Sequence, residues 1–274
     1  MPELPEVETF VRTLRPALVG KTILAADLRW TRSLAEPSLI KFRHRVEGQQ
    51  ITEVSRRGKF FVLHLSSSSL LIHLRMSGDL LVVLGGYQPA THDRLILKLS
   101  DDASLIFTDP RKFGRIWLVG DPSKIFQDLG PEPLEDDFTP GWLYSALQHH
   151  NRQLKPLLLD QAFIAGLGNI YSDEALHLAK IHPLTRSNSV SKKQAGNLWQ
   201  AIRDVLEEGI RRNGASIDWV YRGGDFQNHF RVYGKTGEPC PVCGRKIKRI
   251  TVGQRGTHYC PHCQVSANPK KPVK

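Results

Sequence analysis

The chain opens Met1-Pro2-Glu3-Leu4-Pro5-Glu6, and the second of these residues can do chemistry that no side chain can. Once Met1 is removed, Pro2 becomes an N-terminal secondary amine. An α-amino group titrates at about pH 8, against about 10.4 for an ordinary lysine. A useful fraction is therefore neutral at cellular pH. A neutral amine can attack a sugar C1′ or a carbonyl-like carbon and pass through a Schiff base. Glu3 stands beside it as a general acid or base. Such a nucleophile has to be held in place, because orientation is most of what an active site supplies.

The second concentration of chemistry is near the other end. All four cysteines, Cys240, Cys243, Cys260 and Cys263, lie in the last 35 residues, as two C-x2-C pairs sixteen residues apart. This spacing suits four thiolates around a tetrahedral metal. Two disulfides are the alternative, disfavoured by a cytosolic setting and by the adjacent pairs. An iron site uses the same ligands, but no redox partner motif accompanies it. One structural Zn2+ is expected. Four thiolates leave no open coordination position, so the metal folds its module rather than catalysing.

The whole composition narrows the partner. Lysine and arginine number 38 against 27 acidic residues, a net charge of +11, which favours a polyanion such as nucleic acid. No run of about 18 apolar residues exists, so no membrane span is expected. Glu3, Glu6 and Glu8 stand where a signal peptide would carry basic residues, which leads to the expectation of a cytosolic chain. Its 274 residues, 40% hydrophobic, allow one large domain or two ordinary ones plus a small module.

Several elements must position these groups. Val7, Phe10, Val11 and Leu14 fall at helical spacing, so residues 5–14 read as a helix that packs on a core and holds Pro2 in place. From Lys21 to Val119 short apolar runs predict strands at 59–65, 70–74, 80–84, 94–99 and 104–107, more consistent with a sandwich or barrel than with a parallel sheet. The polar, proline-rich stretch 121–141 reads as a linker. Helices come next over 170–179 and 191–212, the latter with a stripe of Ala195, Leu198, Trp199, Ile202, Val205, Leu206 and Ile210, stopped by Gly214. In Gly166-Leu-Gly168-Asn169, Asn169 can cap the next helix, and a turn feeding a helix N-terminus offers N–H groups to a phosphate. A plain helical hairpin explains the same residues equally well.

Seven segments taken together resemble one family. They are Met1 to Glu8, Arg57-Gly-Lys-Phe60, His73-Leu-Arg-Met-Ser-Gly78, Asp109-Pro-Arg-Lys-Phe-Gly-Arg115, Leu159-Asp-Gln161, Gly166-Leu-Gly-Asn-Ile-Tyr171 and the four-cysteine module. In this order they are similar to formamidopyrimidine-DNA glycosylase, the bacterial base-excision repair enzyme for 8-oxoguanine. The resemblance runs from Pro2 to about Gln264. It implies an α+β multidomain fold, with an N-terminal β-sandwich flanked by helices, a helix-two-turn-helix domain and a C-terminal β-hairpin zinc finger. Expected boundaries are 1–135 for the catalytic β-sandwich and 136–237 for the helix-two-turn-helix domain, with a lesion-recognition loop near 215–231. The zinc finger spans 238–266 and a basic tail 267–274.

The same resemblance implies roles residue by residue. Pro2 is the nucleophile, Glu3 assists ring opening and proton transfers, and Glu6 positions the N-terminal segment. Lys59 reaches the lesion phosphate and the reacting region. Met76 fills the space vacated by a flipped nucleotide, Phe113 intrudes beside the partner base and Arg111 faces the orphaned cytosine. Asn169 and Arg255 grip phosphates, and His73 and His92 are further DNA contacts. The implied reaction excises 8-oxoguanine and formamidopyrimidines from damaged double-stranded DNA through a Schiff base at Pro2. Strand cleavage by β,δ-elimination completes it, carried out by a monomer in the bacterial cytosol or nucleoid. An endonuclease VIII-like enzyme for oxidised pyrimidines is the first alternative, although Leu4 departs from its usual Pro-Glu-Gly-Pro-Glu start. A non-catalytic zinc-dependent DNA-binding protein is the second. The 215–231 stretch is a few residues shorter than expected for typical members, which leaves the order of preference among lesions open.

Overall fold

The computed structural model describes residues 1–216 and 223–265. The chain forms two compact units, Met1–Gln127 with Arg212–Gly224, and Asp128–Arg211 with Asp225–Lys274. The expected basic tail at 267–274 and residues 217–222 of the expected loop lie outside the described residues.

The first unit begins with helix α1 (Leu4–Leu18), capped by Glu3 in a capping box with Glu6. Val7, Phe10, Val11 and Leu14 are buried as the periodicity predicts. Leu18 extends the apolar stripe and carries the helix past Pro16, further than expected. Strands β1 (Ile23–Leu28) and β2 (Leu34–Glu36) precede helix α2 (Leu39–Val46). Strands β3 (Ile51–Arg57), β4 (Phe60–Leu65), β5 (Ser69–His73), β6 (Asp79–Leu84), β7 (Asp93–Leu99), β8 (Ala103–Thr108) and β9 (Arg115–Val119) come next, then the short helix α3 (Ser123–Phe126). One sheet has the order β1-β7-β8-β6 and the other β2-β9-β5-β4-β3. Their inner residues, among them Phe61, Leu63, Ile72, Leu97, Leu105 and Phe107, share one core with Val7 and Phe10 of α1.

Register decides which loops become neighbours. Phe60 pairs with His73 and His73 with Arg115, so Lys59, the end of β5 and the start of β9 lie at one end of their sheet. In the other sheet Thr108 pairs with both Asp79 and Asp93. That row aligns the chain after Gly78, the chain before Asp109 and the chain after His92.

The second unit is helical before its terminal hairpin. It contains α4 (Pro140–Gln148), α5 (Leu154–Leu159), α6 (Asn169–Leu178) and α7 (Lys192–Arg211). Thr139 caps α4 by accepting the Trp142 N–H at 3.0 Å. The predicted stripe of α7 is buried at Ala195, Leu198, Ile202, Val205 and Leu206. Strands β10 (Lys248–Val252) and β11 (Arg255–Tyr259) form the hairpin, joined by Gly253 and Gln254 at φ 55° and 63°. Two positive-φ residues are what a two-residue hairpin turn demands. The stretch read as a linker, 121–141, holds α3 and the start of α4, and α2 stands inside the strand region. Short helices of this kind carry too few turns for their periodicity to stand out. No helix among the described residues is long and apolar enough to cross a membrane.

Candidate functional site

The N-terminal corner is built around Glu6. Glu3 and Glu6 are each only 2% exposed. Glu6 Oε2 accepts the Glu3 N–H at 2.7 Å, and Oε1 accepts the Ala215 N–H, also at 2.7 Å. One carboxylate therefore ties the start of α1 to the chain just beyond α7. Gly214 permits this: its φ is +75°, and a Cβ there would stand 2.7 Å from Glu6 Oε1. The Gly224 N–H donates to Ser216 Oγ at 2.8 Å.

A second cluster gathers at the turn between β3 and β4. Lys59 is buried there, and the register brings it towards His73. Burial, then the charges of Arg75 and Lys59, depress the His73 pKa to about 3. His73 Nδ1 accepts the Arg75 N–H at 3.0 Å, so the neutral ring carries its proton on Nε2. The edge-on Phe60 ring, 4.9 Å away, fixes the imidazole plane.

Two loops of the same unit are cinched together by Asp109, a residue 1% exposed. Its Oδ1 accepts from the Ser77 hydroxyl and from the Arg111 N–H at 3.2 Å. Its Oδ2 accepts the Gly114 N–H at 2.7 Å. Gly114 is close-packed, since a Cβ would lie 2.3 Å from the Phe107 ring. The result holds Met76 and Phe113 outward, 39% and 50% exposed, which is not how core residues sit. The Arg111 guanidinium lies 5.0 Å over the Phe113 ring. His92 is exposed, and its carbonyl accepts the Asp109 N–H at 2.9 Å. Met76, Arg111 and Phe113 thus form one projecting group. Sequence reasoning missed the Asp109 hub; the only signal was its place at the head of Asp-Pro-Arg-Lys-Phe-Gly.

In the second unit Asn169 is not the cap of α6. Gly168 holds that position, and Asn169 is the first helical residue. Its Nδ2 donates instead to the Gly256 carbonyl at 3.1 Å, joining the helix start to the hairpin that carries Arg255. A buried network beneath was also missed. Lys155, 0% exposed, donates to the Asn169 carbonyl at 2.8 Å, Ser172 Oγ at 2.7 Å and Asp173 Oδ1 at 2.6 Å. Asp173 Oδ2 accepts the His258 N–H at 2.8 Å. Glu174 takes the N–H groups of Arg231, Val232 and Tyr233 at 2.8, 2.9 and 2.8 Å. Nothing in Asp173-Glu174 marks these acids in the sequence, where a helix face of charge reads as solvated.

The four cysteine thiols converge, with all Sγ atoms within 4.8 Å of one another. Cys240 and Cys263 are 3.9 Å apart, and Cys243 and Cys260 3.5 Å. A tetrahedron of ~2.3 Å metal–sulfur bonds has edges of roughly 3.8 Å, so the set fits a four-thiolate metal site. His177 Nε2 lies 3.4 Å from Cys240 Sγ, the position of a ligand-orienting partner.

Comparison with known proteins agrees with this anatomy. The model of the formamidopyrimidine-DNA glycosylase N-terminal domain matches residues 1–116. The model of that family's H2TH domain matches 129–220, and a zinc finger found in FPG and IleRS matches 237–265. The formamidopyrimidine-DNA glycosylase of Pelotomaculum thermopropionicum is 44% identical over 273 residues, covering 96% of this chain and 99% of its own. That of Chloroflexus aggregans is 47% identical, covering 97% and 99%. The Lactococcus lactis enzyme bound non-covalently to AP-site DNA superposes with a TM-score of 0.90 at 37% identity, covering 96% of this chain and 100% of that one. A Lactococcus lactis FPG mutant with Fapy-dG containing DNA gives 0.91 at 37% identity, covering 97% and 100%. With its β-sandwich, helix-two-turn-helix domain and zinc-finger region all matched in order, the chain belongs to the formamidopyrimidine-DNA glycosylase family.

Proposed function

We propose that this protein is a bifunctional glycosylase and AP lyase that excises 8-oxoguanine and formamidopyrimidines from damaged double-stranded DNA. The corner of Pro2, Glu3 and Glu6 carries the reading: an N-terminal amine at the head of a helix whose first turn is tied down through Glu6. Once Met1 is removed, the Pro2 nitrogen bonds to C1′ of the damaged nucleotide. The glycosidic bond breaks and the base leaves with its electron pair and a proton. Glu3 gives a proton to the sugar ring oxygen as the C1′–O4′ bond opens, leaving an iminium between Pro2 and C1′. The iminium acidifies C2′. Loss of that proton expels the 3′ phosphate, and a second elimination expels the 5′ phosphate. Water then hydrolyses the iminium and returns the amine.

The remaining residues handle the DNA. A base inside a duplex must be rotated out, at a cost of a few kcal/mol, before an amine can reach its sugar. Met76 and Phe113 are exposed apolar groups suited to filling the gap, and Arg111 offers donors to the orphaned cytosine. Lys59 joins Pro2 and Glu3 as a catalytic residue that reaches the lesion phosphate and the reacting region, His73 through its Nε2–H and His92 contact the DNA, and Asn169 and Arg255 grip phosphates. A Zn2+ held by Cys240, Cys243, Cys260 and Cys263 stabilises the hairpin that carries Arg255. The protein acts as a monomer in the cytosol.

Borohydride reduction during reaction with damaged duplex, with mass spectrometry of the digest, tests the nucleophile. The adduct is expected on Pro2; an adduct on a lysine overturns the assignment. A kinetic panel of 8-oxoguanine, formamidopyrimidine, thymine glycol and dihydrouracil tests the substrate. Faster release of the oxidised pyrimidines overturns the purine assignment.

A further inference from the structure

The turn that presents Arg111 and Phe113 has a problem of its own. Arg111, Lys112 and Arg115 place three cations within five residues. Lys112 stands at the apex with φ +61°, a left-handed conformation that an L-residue adopts only at a cost. Asp109 fixes the two ends of the turn through the Arg111 and Gly114 N–H groups, and its carbonyl accepts the Lys112 N–H at 3.2 Å. None of these bonds holds the Lys112 side chain.

That side chain has a seat elsewhere. Lys112 Nζ lies 4.3 Å from the centroid of the Trp30 ring, within the range of a cation–π contact. Trp30 lies just beyond β1 with its backbone held by Ser33, and the Arg32 guanidinium also stands over its ring, 5.6 Å from the centroid. The Trp30 carbonyl accepts the Ser33 N–H at 3.0 Å and the hydroxyl of Ser33, a buried residue, at 2.7 Å. A second contact joins the same two segments: Arg115 Nη1 donates to the Arg32 carbonyl at 2.6 Å. Beyond it β2 pairs with β9, Leu34 beside Ile116. The segment 30–36 is therefore a strap running along the arm of the turn. The cations of the turn are shared between two rings, Arg111 on Phe113 and Lys112 on Trp30.

We propose that Trp30 is a positioning residue for partner-base discrimination: by seating Lys112 it fixes the turn so that Arg111 is presented to the orphaned base. Without this contact the apex of the turn is held by its backbone hydrogen bonds alone. Arg111 then samples positions from which cytosine and adenine are less well distinguished. This rests on the proposed wedge, in which Met76 and Phe113 fill the gap and Arg111 faces the orphaned base.

The test is the ratio of single-turnover excision rates for 8-oxoguanine opposite cytosine and opposite adenine. Because it is a ratio within one protein, a general loss of stability or of active fraction cancels. A half-exposed cation–π contact corresponds to about two- to fivefold. Trp30→Leu is expected to lower the ratio by that factor, and Trp30→Phe, which keeps a ring, to restore part of it. Lys112→Gln, at an exposed position, is expected to lower it equally, and the double variant no further than either single one. An unchanged ratio in Trp30→Leu and Lys112→Gln, with Arg111→Ala flattening it, overturns the role of Trp30 while leaving the wedge intact. Additive single effects overturn the coupling. An unchanged ratio in Arg111→Ala overturns the wedge and this proposal together.

Discussion

Glu6→Gln is the substitution that most sharply separates positioning from chemistry. Both oxygens of the Glu6 carboxylate are used, each accepting a backbone N–H at 2.7 Å, one from Glu3 and one from Ala215. Glutamine has the same shape but offers one oxygen and one NH2. One of the two backbone donors then faces another donor in a site 2% exposed, where water does not compensate. Losing a charge-assisted hydrogen bond there costs roughly 1.5–3 kcal/mol. If that cost falls on the placement of the N-terminal segment, the rate at which Pro2 forms its iminium drops by about one to two decades. The assay is single-turnover borohydride trapping on a pre-formed abasic duplex, which has no base left to expel and so isolates the amine. Affinity for a reduced abasic duplex, measured by anisotropy, is expected to change far less. Gly214→Ala should act in the same direction, because its Cβ would stand 2.7 Å from Oε1 at a φ of +75°. Trapping by Glu6→Gln within twofold of the parent rate would refute the reasoning and leave Glu6 as a helix cap only.

Cys243→Ser should lose metal and DNA affinity together while the first unit stays folded, checked by elemental analysis and anisotropy; full binding by metal-free protein contradicts it. Lys155→Met leaves Asp173 buried without its ammonium partner, a loss of about 3–5 kcal/mol read as a lower denaturant midpoint. Adding Asp173→Asn should recover part of it, and no recovery would show that the charge pair is not the cause. His73 has a folded-state pKa of about 3, below its unfolded value of 6.5. The unfolded chain therefore binds the proton first, and the stability tied to neutral His73 is present above pH 6.5 and lost as pH falls towards 3. His73→Gln should make the stability profile shallower across that window in urea titrations, and an unchanged slope argues against a buried neutral ring.

The residues proposed to carry the chemistry are legible in the sequence because they are local. Pro2 beside Glu3, the paired C-x2-C knuckles and the apolar stripes of α1 and α7 each declare themselves within a few residues, where covalent spacing and helical or strand period dictate the local structure. The order of seven short motifs was enough to identify the family. Partners far apart in the chain were not legible. Glu6 meets Ala215 across 209 residues, Ser77 meets Asp109 across 32, and Trp30 receives Lys112 from another turn altogether. Asn169 shows the limit most clearly. Its type predicts a cap, but Gly168 took the extended cap position, and the Asn169 amide found the Gly256 carbonyl instead. Local preference sets which hydrogen bonds a side chain can make. Which one it does make is decided by the groups that folding brings within about 3 Å, because a buried polar atom left without a partner costs more than most local preferences are worth.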